Sequence, residues 1–218
     1  PAAGKRDRDI RNQLAVPFRF TPEVILQCAL NPRWALTSLK HGTPNVANYA
    51  DLLQSATSYA DVQKTLITPG FTWEDLKKLR ERWKGKLLVK GILHAQDALA
   101  CAELGCDGII VSNHGGRQVA FGPPTIEALP AIAEAVAGRM TIVLDSGIRR
   151  GADIIRAKAL GADFAFAGRA FAYGVGAGGD AGAQRAFEIL QLELVRALGQ
   201  LGIPSYNAVG RSELSTFN

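Results

Sequence analysis

Cysteine is scarce in this sequence, and long apolar runs are missing. The three cysteines are an odd number without paired spacing, which argues against a disulfide framework and fits a reducing compartment. Cys101 and Cys106 stand beside Ala and Leu on or just after one predicted helix, so we expect them to pack rather than to bind a metal. No apolar run is long enough to span a bilayer. We therefore expect a cytoplasmic protein without a metal site.

Acidic residues are the minority among the charged ones, and the net charge is +5. Much of the excess lies in GKRDRDIRNQ, residues 4–13. Such a cluster can meet nucleic acid, an acidic lipid surface or an anionic substrate, or it can simply be solvated. No recognition module for DNA or RNA accompanies it, so we expect no nucleic-acid partner.

From Gly85 onward, short apolar segments alternate with amphipathic helical ones. This alternation is typical of a parallel sheet with helices on its faces, which predicts an α/β fold. The last helix is predicted over residues 181–202. The pattern divides the chain into residues 1–84 and residues 85–218. The four predicted strands cover residues 85–91, 106–113, 140–147 and 162–169.

Residues 1–84 lack the repeat. The stretch 21–39 predicts one or two short helices broken at Pro32, and the stretch 72–83 predicts a helix with Thr72 as its N-cap. The loop-like residues between these helices are typical of a functional loop or lid, because long irregular stretches are uncommon inside α/β domains.

Polar residues or glycines end each of the four predicted strands. The carboxyl ends of parallel strands share one rim, where α/β folds and barrels carry their chemistry. One polar strand end is explained by a turn, but four in succession predict a functional site. These residues are Lys90, Ser112 with His114, Asp145 with Gly147, and Gly168 with Arg169.

The segments DSGIRRG (145–151) and AGRAF (167–171) are similar to the last two strand ends of a phosphate-binding barrel. Gly147, Gly168 and Arg169 could surround a phosphate, with Arg149 assisting. The alternative is that the arginines only cap and solvate the starts of helices.

Three further side chains suggest redox and proton chemistry. Lys90 ends an apolar strand, where an ammonium group is costly unless it faces a negative partner, such as a flavin ring that gains electrons. His114 can act as a base near neutral pH, and Arg117 can hold a carboxylate at two points. The alternatives are a lysine that reaches solvent and a solvated histidine at a loop tip.

The stretches LLVKGILHAQDALACAELGCDGIIVSNHGGRQ and LDSGIRRGADIIRAKALGADFAFAGRAF resemble the FMN-dependent L-2-hydroxy acid dehydrogenases and oxidases. NPRWALTSLKHGTPNVANY is similar to the bacterial mandelate and lactate dehydrogenase branch. The resemblance implies a (β/α)₈ TIM barrel, of which this chain supplies strands 5–8 and the loop region after strand 4. It also implies a homotetramer.

The resemblance further implies roles for individual residues. His114 would be the catalytic base, and Arg6 and Arg117 would bind the carboxylate of a small 2-hydroxy acid. Electrons would pass to FMN and then to a quinone or cytochrome, with an O₂-using oxidase as the alternative. Ser146, in place of a glycine common in the oxidases, slightly favours the dehydrogenase. The residues implied around FMN are Lys90, Ser112, Asp145, Ser146, Gly147, Ile148, Arg149, Gly168 and Arg169.

Strands 1–4 of the implied barrel have no counterpart in the chain. We therefore predict a fragment whose partner is the N-terminal half of the same barrel, separate or missing. An inactive phosphate-binding half-barrel is one alternative, and an FMN-dependent isomerase or phosphosugar barrel is another. Residues 13–70 correspond to the membrane-attaching part of that branch, which favours peripheral contact with the inner face of the cytoplasmic membrane. A soluble active-site lid is the alternative reading of the same residues.

Overall fold

The computed structural model describes residues 10–12, 20–42, 70–119 and 121–213. The chain divides into two compact units, Pro1–Phe71 and Thr72–Asn218. The described part of the first unit contains two helices, α1 (Pro22–Leu30) and α2 (Pro32–His41). Pro32 is the first residue of α2, where its missing N–H costs nothing, which confirms the predicted break.

The second unit begins with helix α3 (Trp73–Arg82) and continues as the predicted strand–helix repeat. Its four strands are parallel and lie in the order β1-β2-β3-β4, so each strand pairs with the next one along the chain. The elements after α3 are β1 (Leu88–Ile92), α4 (Ala95–Glu103), β2 (Gly108–Val111), α5 (Thr125–Val136), β3 (Thr141–Asp145), α6 (Gly151–Ala159), β4 (Phe164–Phe166) and α7 (Arg169–Leu201), with 3₁₀ turns at His114–Gly116, Tyr206–Ala208 and Arg211–Glu213.

The core of this unit lies between the sheet and the helices α4 and α5. Ile109 and Val111 of β2 are fully buried, as are Leu129 and Ile132 of α5. Cys101 is buried in the same cluster, and burial raises the pKa of its thiol to about 12. This burial confirms that Cys101 is a packing residue.

Helix α3 belongs structurally to the second unit, although the sequence-based division placed it before residue 85. Leu76 is buried in the sheet core, and the Arg80 guanidinium is 3.0 Å from the Asp107 carboxylate. Thr72 caps the helix as predicted, because its hydroxyl accepts from Asp75 N–H while the Asp75 carboxylate accepts from Thr72 N–H. The division suggested by the contacts therefore falls between Phe71 and Thr72.

Helix α7 begins at Arg169, well before the predicted start at residue 181, and is interrupted at Gly178 and Gly179. The backbones of Gly174 and Gly182, on either side of the interruption, pack directly against each other. Only glycine allows this approach, because a Cβ atom on either residue would collide with the other backbone.

The parallel register brings the carboxyl ends of all four strands to one edge. Val111 pairs with Leu144, and Leu144 pairs with Ala165. The segments that follow β1, β2 and β3 therefore emerge side by side. The strands β1 and β4 are the outer strands of the sheet, and Phe164 and Phe166 of β4 are exposed.

Candidate active site

Three polar side chains from three successive strands meet at the carboxyl edge of the sheet. The Lys90 ammonium lies 2.9 Å from the Ser112 hydroxyl and 3.1 Å from the Asp145 carboxylate. The Ser112 hydroxyl donates to the same carboxylate at 2.6 Å. The register places Ser112, after β2, level with Asp145 at the end of β3, and the long Lys90 side chain reaches both from a position on β1 that is level with Ile110.

Ser112 is the centre of this network and is only 1% exposed. Its hydroxyl accepts from Lys90 and, at 3.1 Å, from the backbone N–H of His114. A hydroxyl has one hydrogen to donate and two lone pairs, so these two bonds and the one to Asp145 use all of them. Ser112 therefore links the strand ends to the turn that carries His114.

The Asp145 carboxylate is held in its ionised form. Burial raises its pKa, but the hydrogen bonds from Ser112 and Lys90 and the charge of Lys90 outweigh burial, and the net pKa is lowered. The site therefore holds an ammonium–carboxylate pair at neutral pH. The Lys90 side chain is 42% exposed, so solvent as well as Asp145 compensates its charge within the otherwise apolar β1.

His114 lies in a tight turn built from positive-φ residues. Its φ is +54°, and Gly115 and Gly116 follow at +66° and +74°. The Asn113 side chain accepts from Gly115 N–H at 3.0 Å and closes the turn. This explains the sequence Asn-His-Gly-Gly, because glycine adopts a positive φ without steric strain and the Asn side chain can accept a hydrogen bond from the backbone N–H two residues later.

The environment of His114 favours the neutral imidazole. Burial lowers its pKa, the positive charge of Lys90 lowers it further, and Asp145 acts in the opposite direction. A Cβ atom placed on Gly91 would lie 3.1 Å from the imidazole Cε1, so the backbone at the end of β1 lies against the ring. A neutral imidazole is the form that can accept a proton.

A cleft of about 410 Å³ opens next to this network, within the size range of small-molecule sites. Of the residues predicted to surround a cofactor, Ser146, Gly147, Ile148 and Arg169 line it. Residues that were not predicted to surround a cofactor line it as well, namely Asn113, Gly115, Gly116, Pro124, Thr125, Ile126, Leu144, Asp153 and Arg156. Four of them, Pro124, Thr125, Ile126 and Asp153, lie at the starts of α5 and α6 and could have been found by taking each helix start that follows a polar strand end.

The start of α6 is already occupied by carboxylates. The Asp153 side chain accepts from the N–H groups of Arg149 and Arg150, both at 2.9 Å, and Glu193 accepts from Gly151 N–H at 2.9 Å. These N–H groups are therefore not available to bind an anion such as a phosphate. The start of α7 differs, because its N-cap, Gly168, has no side chain to cap it.

The other predicted residues are less central. Arg117 is exposed and follows the His114 turn, while the exposed Arg149 and Gly168 do not line the cleft. Arg6, predicted to bind the substrate carboxylate, lies outside the described residues. The described residues contain no group of three or more His, Cys, Asp or Glu side chains that could hold a metal ion.

The residues of the cleft fit an organic phosphate such as FMN. Leu144, Ile126 and Ile148 give it apolar surface, and the Arg169 guanidinium gives it a cation. A Cβ atom on Gly147 would meet nothing within 4 Å, so the backbone there is open to an approaching group. Arg156 supplies a second cation, next to the Asp153 carboxylate, whereas Lys90, Ser112 and Asp145 do not line the cleft. This combination of apolar surface and convergent polar groups is typical of cofactor sites.

Comparison with known proteins gives the family. A family model described as FMN-dependent dehydrogenase matches residues 1–216. The (S)-mandelate dehydrogenase of Pseudomonas putida is 40% identical over 211 residues, covering 94% of this chain and 52% of that protein. A putative L-lactate dehydrogenase of Mycobacterium tuberculosis is 40% identical over 203 residues, covering 93% of this chain and 48% of that protein.

Solved structures agree with this assignment. The crystal structure of the monotopic membrane protein (S)-mandelate dehydrogenase matches with a TM-score of 0.90 and 36% identity, over 98% of this chain and 57% of that one. A structure of mandelate oxidase with (S)-4-hydroxymandelic acid matches with a TM-score of 0.63 and 38% identity, over 65% of this chain and 40% of that one.

These matches place the chain in the class of flavin-dependent oxidoreductases. The chain belongs to the FMN-dependent dehydrogenase family, among relatives that include mandelate and lactate dehydrogenases. This confirms the resemblance stated from the motifs. The chain spans about half the length of the curated relatives it matches.

Proposed function

We propose that this chain, together with an N-terminal half-barrel, oxidises an L-2-hydroxy acid to the 2-keto acid with FMN as cofactor. The observation that carries the proposal is the convergence of His114 with the Lys90–Asp145 pair at one edge of the sheet, beside a cleft that fits an organic phosphate. Membership of the FMN-dependent dehydrogenase family supports the class of reaction.

His114 is the proposed base. The substrate loses its hydroxyl hydrogen and the hydrogen on the same carbon, two protons and two electrons in all, and a carbonyl forms. His114 takes one proton, and its lowered pKa keeps it ready to do so. FMN, when bound, would supply the acceptor for the two electrons and for the second proton. Arg117, with Arg6, holds the substrate carboxylate, for which a guanidinium offers two parallel donors.

The proposed cofactor site extends along the strand ends. Lys90 would hold the ring end of FMN, where its positive charge would favour the reduced, anionic form. The network around Ser112 keeps Lys90 and Asp145 in place. Arg169 and the uncapped start of α7 would hold the phosphate. The remaining residues proposed to surround FMN are Ser146, Gly147, Ile148, Arg149, Gly168 and Arg169.

The proposed partner of this half-barrel is the N-terminal half of a (β/α)₈ barrel. The sheet has two outer strands, and Leu88 on β1 and Phe164 and Phe166 on β4 are exposed. Open edges of this kind pair readily with further strands. Four more strands would close the sheet and bury these side chains. We further propose a homotetramer, which light scattering of the full-length protein would reveal.

The first test uses the full-length protein, with both halves of the barrel. We expect a yellow protein that reduces a dye with mandelate, lactate or glycolate. His114→Gln should lower kcat by about two to four orders of magnitude, the usual contribution of a general base. His94→Gln is the matched control, because His94 is exposed at the start of α4 and only caps that helix. Equal activity of His114→Gln and the wild type would contradict the role of His114 as base, whereas a yellow protein that reduces no dye with these acids would favour isomerase or phosphosugar chemistry.

The electron acceptor is tested separately. We propose a quinone or cytochrome, and the expected result is slow reaction of the reduced flavin with air in stopped-flow measurements. Fast reoxidation by air would instead identify an oxidase. A protein without flavin absorbance and without turnover would favour the non-catalytic half-barrel.

We also propose that α1 and α2 contact the cytoplasmic face of a membrane from one side. Neither helix contains a buried residue, and Leu30, Trp34 and Leu39 are 60–81% exposed. Such apolar side chains beside Arg33 and Lys40 are typical of interfacial docking. Within the described residues, no helix is both long enough and apolar enough to cross a bilayer. We expect the protein to sediment with anionic vesicles and the double variant Leu36→Ser/Leu39→Ser to remain in the supernatant. Sedimentation of the variant with the vesicles would contradict the docking.

A further inference from the structure

Ser146 has a strained backbone that nothing in the proposed reaction explains. It follows β3 with φ +79°, in the left-handed region that non-glycine residues rarely adopt. Glycine would take this conformation without strain, and Gly147 follows directly at φ +90°. A strained backbone conformation persists only where surrounding contacts hold it in place, and such residues cluster at functional sites.

Two separate hydrogen bonds hold Ser146 in this conformation. Its carbonyl accepts from the Thr125 hydroxyl at 3.1 Å. Thr125 is only 3% exposed at the start of α5, so this partner is firmly placed. The Ser146 hydroxyl accepts from Gly115 N–H at 3.2 Å. The first bond uses the backbone and would survive in glycine, but the second needs the serine side chain.

The bond of the Ser146 hydroxyl reaches the turn that carries His114. Gly115 is the next residue after His114, and both have positive φ. The same Ser146 hydroxyl lies 3.5 Å from the Ser112 hydroxyl, which accepts from His114 N–H. The amides of His114 and Gly115 are therefore fixed by two neighbouring serine hydroxyls. Asn113 also accepts from Gly115 N–H, but it belongs to the turn itself and cannot tie it to β3.

We propose that Ser146 is a positioning residue, whose hydroxyl ties the His114 turn to the end of β3 and so sets the place of the imidazole beside Lys90. The role of the imidazole as base rests on the proposed function, whereas the tie itself does not. The strain at Ser146 is then the consequence of placing a hydroxyl at this point of the loop. Because a shift of about 1 Å in a reacting group can cost about a hundredfold in rate, one such tie matters for turnover.

Two substitutions separate the hydroxyl from the strain. Ser146→Gly removes both, and Ser146→Ala removes the hydroxyl but keeps a Cβ atom at positive φ. Ser205→Gly is the matched control, because Ser205 is exposed, has an extended backbone and does not cap the turn that it precedes. All three are made in the full-length protein, and bound flavin is measured first so that kcat refers to holoenzyme.

The expected result is a similar loss of kcat, roughly tenfold to a hundredfold, in both Ser146 variants, with KM within about twofold of the wild type. The melting temperature should separate them, with Ser146→Gly above Ser146→Ala, because only the glycine relieves the strain. The acid limb of the pH profile should move up toward 6.5, the ordinary pKa of histidine, as the loosened turn exposes His114 to water. Ser205→Gly should change none of these quantities.

Hydrogen exchange of the Gly115 amide supplies a readout that does not depend on turnover. We expect it to be protected in the wild type and in Ser205→Gly, and to exchange faster in both Ser146 variants. Wild-type kcat in Ser146→Gly, or unchanged exchange at Gly115, would overturn the inference. If the wild type oxidises no 2-hydroxy acid while exchange at Gly115 still responds to Ser146, the proposed function fails and the tie stands.

Discussion

Lys90 and Asp145 form an ion pair, with 3.1 Å between Nζ and Oδ2, although they belong to strands that are not neighbours in the sheet. The strand between them supplies Ser112, whose hydroxyl bonds to both. In a parallel sheet, side chains from alternate strands can meet over the strand that separates them. The pair therefore depends on the reach of the Lys90 side chain as well as on the parallel order of the strands, and it places one positive and one negative charge at the carboxyl edge of the sheet.

The first prediction concerns the removal of that positive charge. Lys90→Met should lower kcat by about two orders of magnitude, because a cation aimed at developing negative charge is worth about this much in an enclosed site. It should also weaken FMN retention. Lys90→Arg is the control that keeps the charge, and it should retain more activity than Lys90→Met. Steady-state kinetics and the flavin content of the purified variants measure both effects, and equal losses in the two variants would contradict the assigned role of the charge.

The second prediction concerns the pKa of His114. Burial and the charge of Lys90 hold it below 6.5, so the base stays unprotonated to lower pH than a free histidine. The acid limb of kcat/KM should therefore lie below pH 6.5, with activity lost only as the pH falls through the lowered pKa. Lys90→Met should move the limb up, and Asp145→Asn should move it down, because Asp145 raises this pKa. Shifts of the same sign in the two variants would show that their charges do not act on His114.

The strand ends could be predicted because their signal is local. A short apolar run predicts each strand, and the polar residue that interrupts or follows it, Lys90, Ser112 or Asp145, stands within a few residues of that run. The alternation of strands and helices then predicts that the strands are parallel. The helix cap at Thr72 is local in the same sense, because its partner Asp75 is three residues away.

Other parts of the site depend on contacts between distant residues. Glu193 accepts from Gly151 N–H from 42 residues away, and no spacing in the sequence indicates this pairing. Helix α7 begins early because Gly174 and Gly182 pack together, which outweighs the low helix propensity of a glycine-rich segment. Thr125 looks like an ordinary helix start, and only the structure shows that it holds the Ser146 carbonyl.

The third prediction tests the contact between Gly91 and His114. A Cβ atom on Gly91 would lie 3.1 Å from the imidazole Cε1, so Gly91→Ala should displace the ring and lower kcat by roughly tenfold to a hundredfold. Gly91 also has φ +100°, so the variant should lose stability as well. Steady-state kinetics and thermal unfolding measure the two effects.

Gly138→Ala is the matched control for this variant. Gly138 has φ +75° at the end of α5, and a Cβ atom there would meet nothing within 4 Å. It should carry a similar backbone strain, of about 1 kcal/mol or more, without touching the site. We therefore expect both variants to be less stable than the wild type and only Gly91→Ala to lose kcat. An equal loss of kcat in Gly138→Ala would mean that strain, rather than contact with His114, is responsible.

The fourth prediction concerns stability in acid and involves the opposite edge of the sheet. The Asp107 carboxylate accepts from the Lys86 ammonium at 2.7 Å, from Leu87 N–H at 2.9 Å and from the Arg80 guanidinium at 3.0 Å. These bonds, the one from Lys86 first, lower its pKa from 3.8 to about 2. The stabilisation is therefore complete above pH 3.8, where the unfolded state is also ionised, and is lost as the pH falls toward 2.

Asp107→Asn should remove this dependence. We expect the variant to be less stable than the wild type at pH 5, and the difference between them to shrink as the pH falls below 3.8. Urea unfolding at pH 5, 4 and 3 measures the free energy of unfolding of each protein. Asp180→Asn is the control, because Asp180 is exposed on α7, far along the chain from this cluster. A difference between Asp107→Asn and the wild type that stays constant across this range would show that the ionised carboxylate is not what holds α3 and β1 to the start of β2.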